Sequence, residues 1–252
     1  MDNDPDFMMS LARGLTVLES FAEHRVPMTI AQASQRTGLS RSAVRRCLHT
    51  LTQLGYAAQD GAQFTLRPKT LSLGFAYLSS NGLAAAAQPL LDRTRDILGE
   101  SCSLGVREGD DVCYVGRSAT IGIMSIALSV GSRLPLYCTS MGRVLLAASP
   151  PDERQAYIDR ADLTARTDRT HTDRGALLDL IETVAAEGFA LIDQELEVGL
   201  RSIAVPVRGR HGGVIGAINI GTSSARVSAA ELRSRHLPEL RGAARELSLL
   251  GI

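Results

Sequence analysis

Three arginines, Arg41, Arg45 and Arg46, lie in GLSRSAVRRCLHTLTQL, residues 38–54, a stretch with no acidic side chain. Wound at roughly 100° per residue, this segment gathers Val44, Cys47, Leu48, Leu51 and Leu54 on one side. Ser42, Arg45, Arg46, His49 and Gln53 gather on the other, with Arg41 at the edge near the N-terminus. Such a face suits the major groove of DNA. Arginine forks two hydrogen bonds onto guanine, serine, histidine and glutamine reach base edges or phosphates, and the first helical amides face the backbone. The competing use of the same face is plain solvation. Lys69 is the only lysine, so arginine is this chain's default cation and its number carries little weight. The geometry carries the argument, and it marks Thr29, Ser40, Arg41, Ser42, Arg45, Arg46 and His49 as the DNA-facing set.

Enzymatic chemistry finds fewer footholds. No GxSxG elbow, P-loop, HExxH or strand-borne GxGxxG occurs, and none of His24, His49, His171, His211 and His236 has a partner at metal or triad spacing. These histidines are expected at the surface. Asp193, Glu195 and Glu197 alternate in DQELEVG, which an extended strand would place on one face. That pattern fits a metal or general-base site, or a strand end bonding to loops and helix N-termini. Cys47, Cys102, Cys113 and Cys138 form no CxxC pair and are expected as reduced thiols. No metal, no cofactor and no enzyme activity are expected. The rival function is a redox enzyme or thiol sensor using Cys102, Cys113 and Cys138.

The elements that must hold these residues follow from spacing. SLARGLTVLESFAEH, residues 10–24, predicts a helix capped by Ser10. Thr29 caps a second helix that stops at Gly38, and Ser40 caps the third. Two short helices across Thr37-Gly38-Leu39 make a helix-turn-helix. GYAAQDGAQFTL, residues 55–66, then predicts a hairpin whose Asp60-Gly61 favours a type I′ turn. This is the order of a winged helix-turn-helix. Residues 67–82 predict a helix with Leu71, Phe75 and Leu78 on one face, to be buried in a dimer contact or against its own domain. Beyond it come a helix near 84–98, two strands around Glu108–Asp111, a loop over 118–137 and a helix from Thr139. Helices near 151–159 and 173–187, three strands (FALIDQE, RSIAVPVRG, GGVIGAINIG) and a last helix from Ser228 complete an α+β chain with a mixed or antiparallel sheet.

At 252 residues the chain suits two modest domains. Its formal net charge is zero, so nucleic-acid affinity must come from a local patch. No run of eighteen apolar residues and no apolar leader segment occurs, so a cytoplasmic protein without membrane contact is expected.

GSRLPLYCTSMGRVLLA (131–147) and GFALIDQELEVGLRSIAVPVRGRHGGVIGAINI (188–220), behind a winged helix, strongly resemble the IclR family of bacterial transcriptional regulators, over nearly the whole chain. The wording is most similar to the subgroup that controls aromatic-acid breakdown through protocatechuate, 4-hydroxybenzoate and β-ketoadipate. The resemblance implies a winged helix-turn-helix (1–66), a linker helix (67–82) and a GAF-like α/β effector-binding domain (83–252). It also implies homodimers, often dimers of dimers, on a palindromic operator, and activation of a catabolic operon by a small aromatic or dicarboxylic/keto acid. Carried over by matching position, the effector pocket is expected at Ser140, Met141, Ser202, Asn219 and Gly221, with Asp193 and Glu195 orienting it. A helix starting at Thr139-Ser140 is independently a seat for a carboxylate. Arg133 or Arg143 is available to pair with the acid, Arg143 alternatively lying at the surface. Asn219 and Gly221 replace serines common in relatives that bind small keto acids, which leaves the effector's identity open.

Overall fold

The computed structural model describes residues 4–22, 26–80, 82–120 and 128–250. The chain divides into two compact units, Met1–Tyr77 and Leu78–Ile252.

In the first unit, α1 (Met9–Glu19) is followed by β1 (Met28–Thr29), α2 (Ile30–Thr37), α3 (Arg41–Gln53), β2 (Ala57–Asp60) and β3 (Gln63–Leu66). Thr29 and Gln32 form a reciprocal capping box at the start of α2. Gly38, at φ 68°, makes the left-handed exit that lets Ser40 cap α3 by accepting from the Ala43 amide. Val17, Phe21, Met28, Ala33, Val44, Leu48 and Phe64 form the core. Burying a leucine such as Leu48 contributes about 1.5–3 kcal/mol. Two expectations are corrected. α1 starts at Met9, so Ser10 lies inside it and Met8 stands at the cap without a side-chain bond; it ends at Glu19, with residues 20–22 in a turn rather than the expected helix, and 23–24 lie outside the described residues. The hairpin turns about Gly61-Ala62, with Asp60 paired to Gln63. Positive φ falls on Gly61 and not on Ala62, the pattern of a type II′ turn rather than I′.

A 3₁₀ turn (Pro68–Thr70) leads into α4 (Leu71–Ser80), which crosses the boundary between the units. Leu71, Leu73, Phe75 and Tyr77 are exposed along it. α5 (Gly82–Leu98) opens the second unit proper.

The second unit is built on a six-stranded antiparallel sheet in the order β6-β5-β4-β9-β8-β7 among the described residues. Its strands are β4 (Ser101–Glu108), β5 (Asp111–Ser118), β6 (Arg133–Pro135), β7 (Ala190–Asp193), β8 (Leu200–Arg208) and β9 (Val214–Ser223). The helices are α6 (Ser140–Ala147), α7 (Pro151–Arg160), α8 (Arg174–Glu187), α9 (Ala229–Glu231) and α10 (Leu237–Leu249), a π turn over Leu232–His236 joining the last two. β6 corrects the expected loop over 118–137, of which 121–127 lie outside the described residues. His236 corrects the expectation of surface histidines: it is 1% exposed, turned inward by the π turn.

Both sheet faces are covered. α5 and α10 pack against Cys102, Leu104, Ile203, Val205, Ile218 and Ile220. α6, α7 and α8 pack against Val112, Tyr114, Ala204 and Ala217. Strands buried on both sides read as continuous apolar runs, so Ser103, Ser202 and Asn219 on the α6 face stand out as polar interruptions.

Candidate functional site

On α3, Val44 and Leu48 are buried while Arg41, Ser42, Arg45, Arg46, His49 and Gln53 are all exposed. The two faces are those the spacing predicts. Thr29 and Ser40 cap α2 and α3, so the described part of the unit presents two capped helix N-termini and a cationic helix face.

The second site lies between the sheet and the start of α6. Tyr114, Arg117, Leu128, Cys138, Thr139, Ser140, Leu196, Leu200, Ser202, Asn219 and Gly221 line a cavity with about 390 Å³ of space between atoms, part of it open to solvent. Four of the residues expected there, Ser140, Ser202, Asn219 and Gly221, are brought together. α6 begins there because Thr139 caps the Gly142 amide while donating its own hydroxyl to the Pro135 carbonyl. Gly142 is obligatory, since a Cβ would sit 2.3 Å from the Leu136 carbonyl oxygen.

The cation on the wall is Arg117, which the spacing did not single out. A β-bulge explains why. Gly105 pairs with Tyr114 but Leu104 pairs with Gly116, so Val115 is an extra residue in β5. The insertion reverses the alternation, and Tyr114 and Arg117, three apart, both face the cavity. Arg117 then shares a cross-strand row with Ser103 and Asn219, and its Nη1 donates to Ser103 Oγ at 3.0 Å. Burial lowers the Arg117 guanidinium below its ordinary range. Its Nε, the Ser140 hydroxyl oxygen and the Asn219 amide oxygen are buried without hydrogen-bond partners among the described residues. Each such group costs about 1–3 kcal/mol, which a ligand's complementary groups would offset.

The other expected pocket residues lie elsewhere. Arg133 sits exposed on β6 in ion pairs with Glu108 and Asp111, drawn to the carboxylates of the neighbouring hairpin. Met141 is buried beside Gly105 and Val112, one position round the helix from Ser140, and fills core rather than cavity. The alternation expected of Asp193, Glu195 and Glu197 is broken at Gln194, whose φ is 64°. Asp193 therefore pairs with Arg201 and Arg169, whereas Glu195 turns inward to Arg143. The Arg201 guanidinium, with Gln194 and Arg169, holds the Asp193 carboxyl below the usual carboxylate range against the opposing effect of burial. Arg143 is 3% exposed, so the surface alternative for it is overturned. Both acids face a separate open cleft shared with Arg143, Arg169 and His171. No group of three metal-ligating side chains occurs among the described residues.

The cysteines do not meet. Cys102 packs on the α5 face and Cys138 on the α6 face. Cys102 lies opposite Ser118, and Cys113 opposite Val106, four residues further along β4, a separation of about 13 Å. That exceeds disulfide reach. Burial pushes the Cys138 thiol up to about 11 and the Cys102 thiol up to about 12. Burial, with Glu108 and Asp111 adding to it against Arg133, also raises the Cys113 thiol, so at all three cysteines the surroundings oppose the thiolate that a sensor needs.

A winged helix with a cationic recognition face, joined to an α/β unit with a polar cavity, defines a DNA-binding regulator with a ligand-holding domain. Residues 10–61 match the IclR helix-turn-helix domain, and residues 75–249 match the C-terminal domain of bacterial IclR transcriptional regulators. The chain belongs to the IclR family of transcriptional regulators. It is 54% identical over 245 residues to the Pca regulon regulatory protein of Pseudomonas putida, covering 97% of this chain and 84% of that one. Among solved structures, a transcriptional regulator from Rhodococcus sp. RHA1 is 42% identical, with a TM-score of 0.85 over 96% of this chain and 98% of that one. An IclR homologue from Microbacterium hydrocarbonoxydans, solved with 4-hydroxybenzoate, is 25% identical, with a TM-score of 0.81 over 95% and 98%. Among the described residues no helix is long and apolar enough to cross a membrane.

Proposed function

We propose that this regulator is a cytoplasmic activator of a catabolic operon, switched by a small aromatic or dicarboxylic/keto acid. The acid's carboxylate pairs with Arg117, and Ser140, Ser202 and Asn219 supply neutral hydrogen bonds from the opposite wall and floor. Carrying this reading is the set of buried, unpartnered polar atoms around one cavity, Arg117 Nε, Ser140 Oγ and Asn219 Oδ1. The likeness to a Pca regulon regulator and to a homologue solved with 4-hydroxybenzoate supports the aromatic-acid class. The winged helix (1–66) reads DNA, the effector domain (83–252) holds the acid, and the helix over 67–82 joins them. Apolar side chains exposed on α4 support a homodimer, which would present two recognition helices to a palindromic site. A thermal-shift screen of aromatic and keto acids against the full chain tests the effector reading. A true effector raises the melting temperature with the logarithm of its concentration over its Kd. A flat response to every acid would contradict it.

A further inference from the structure

Between Val26 and Leu91 the chain carries one acidic side chain, Asp60, against Arg36, Arg41, Arg45, Arg46, Arg67 and Lys69. Its position is specific. Asp60 is the last residue of β2, at the tip of the hairpin, exposed and without an ion pair among the described residues. The register sets Thr29, Gln63 and Asp60 in one row across the three strands. Met28 and Phe64, in the neighbouring row, turn into the core, so the Thr29–Gln63–Asp60 row lies on the outer face. Thr29 begins α2, and in a helix-turn-helix that first helix crosses the phosphate backbone. A carboxylate two strands from Thr29 therefore stands about 10 Å from that contact, near the phosphates but not on them in the groove-docked pose. The turn does not explain the charge, because its central residues are Gly61 and Ala62.

We propose that Asp60 is a specificity-determining residue that weakens sequence-independent binding. This rests on the reading of the first unit as a DNA reader. Attraction to phosphate alone draws every edge of a cationic domain onto the backbone. Asp60 opposes that docking at the hairpin tip. When α3 makes base contacts, the pose is set by the groove and the tip is held off the phosphates, so the carboxylate costs less there. Discrimination between operator and random DNA is thereby widened.

The test uses the full chain with Asp60→Asn, an isosteric neutral change, and Asp60→Lys, a charge reversal. Glu182→Gln, on the exposed face of α8 in the other unit, controls for net charge. Probes are a labelled duplex from upstream of the protein's own gene and a random duplex of equal length. Asp60→Asn is expected to tighten random-duplex binding about threefold per protomer, the size of one screened like-charge contact. Asp60→Lys should tighten it further and steepen its salt dependence. Binding to the upstream duplex should change less, so the ratio of the two falls, while Glu182→Gln leaves both unchanged. Equal changes on both duplexes, no change, or weaker upstream binding by Asp60→Asn would overturn the proposal. Wild-type protein that prefers neither duplex would instead overturn the DNA-reading assignment on which it rests.

Discussion

Arg143 and Glu195 form a buried ion pair, 2.5 Å between Nη2 and Oε2, one helical turn along α6 from Ser140. Arg143 Nε also donates to the Tyr137 carbonyl, and the Glu195 carbonyl accepts from the Thr170 hydroxyl. The pair ties α6 to the 194–199 segment, and both supply cavity wall, Ser140 on one side and Leu196 with Leu200 on the other. Burial lowers the Arg143 guanidinium below its ordinary range, while Glu195 opposes the shift.

Breaking this pair from one side leaves an uncompensated buried charge. Arg143→Met or Glu195→Leu should each cost about 3–5 kcal/mol, and the double variant should recover most of the loss. Urea denaturation of the three variants checks this. Single variants with unchanged midpoints would show that the pair is not held as described.

Arg117 makes the opposite stability prediction. Its Nε is buried and unpartnered, so Arg117→Leu should leave the melting temperature unchanged or raise it. The same substitution should abolish the thermal shift given by any acid that stabilises the wild type. A variant that still responds would remove Arg117 from the ligand site.

The recognition helix is tested by Arg45→Ala and Arg46→Ala, both at exposed positions where folding should be unaffected. A lost base contact should cost about 1–3 kcal/mol with relaxed specificity at one position, and a lost phosphate contact should weaken all sequences alike. Binding titrations against single-base operator variants separate these outcomes. Wild-type affinity in either variant would exclude that arginine from the interface.

Alkylation tests the thiols. At pH 8, iodoacetamide should modify half-buried Cys47 and Cys113 before buried Cys102 and Cys138, as read by mass spectrometry. The Cys138 thiol rises from 9.0 when unfolded to about 11 when folded. Its contribution to stability is therefore whole below pH 9 and is lost as pH rises through about 11. Urea midpoints for wild type and Cys138→Ala should converge over that range. Rapid modification of Cys138 in the native protein at pH 8 would revive the thiol-sensor reading.

What could be read in the chain before its fold was known depended on the range of the forces involved. The α3 face was legible because helical period alone sorts Val44 and Leu48 from Arg45 and Arg46. The seats of Ser140, Ser202, Asn219 and Gly221 came from family likeness, and the cavity gathers them. Arg117 was hidden by the bulge at Val115, since a strict period of two assigns it the wrong side. The inward turn of Glu195 depended on one left-handed residue, Gln194, that no local pattern announces. The burial of His236 and the ion pairs of Arg133 escape local pattern for a similar reason. Their surroundings come from a π turn and from a hairpin more than twenty residues upstream.

Acid-dependent DNA recognition by the full chain is the central property proposed for this regulator. Fluorescence anisotropy at moderate salt would compare the duplex upstream of the protein's own gene with a random duplex, with and without the acid that gives the largest thermal shift. A clear preference for the upstream duplex is predicted, altered by the acid in wild type and unaltered in Arg117→Leu. Equal binding to both duplexes, or an acid response that survives in Arg117→Leu, would contradict it.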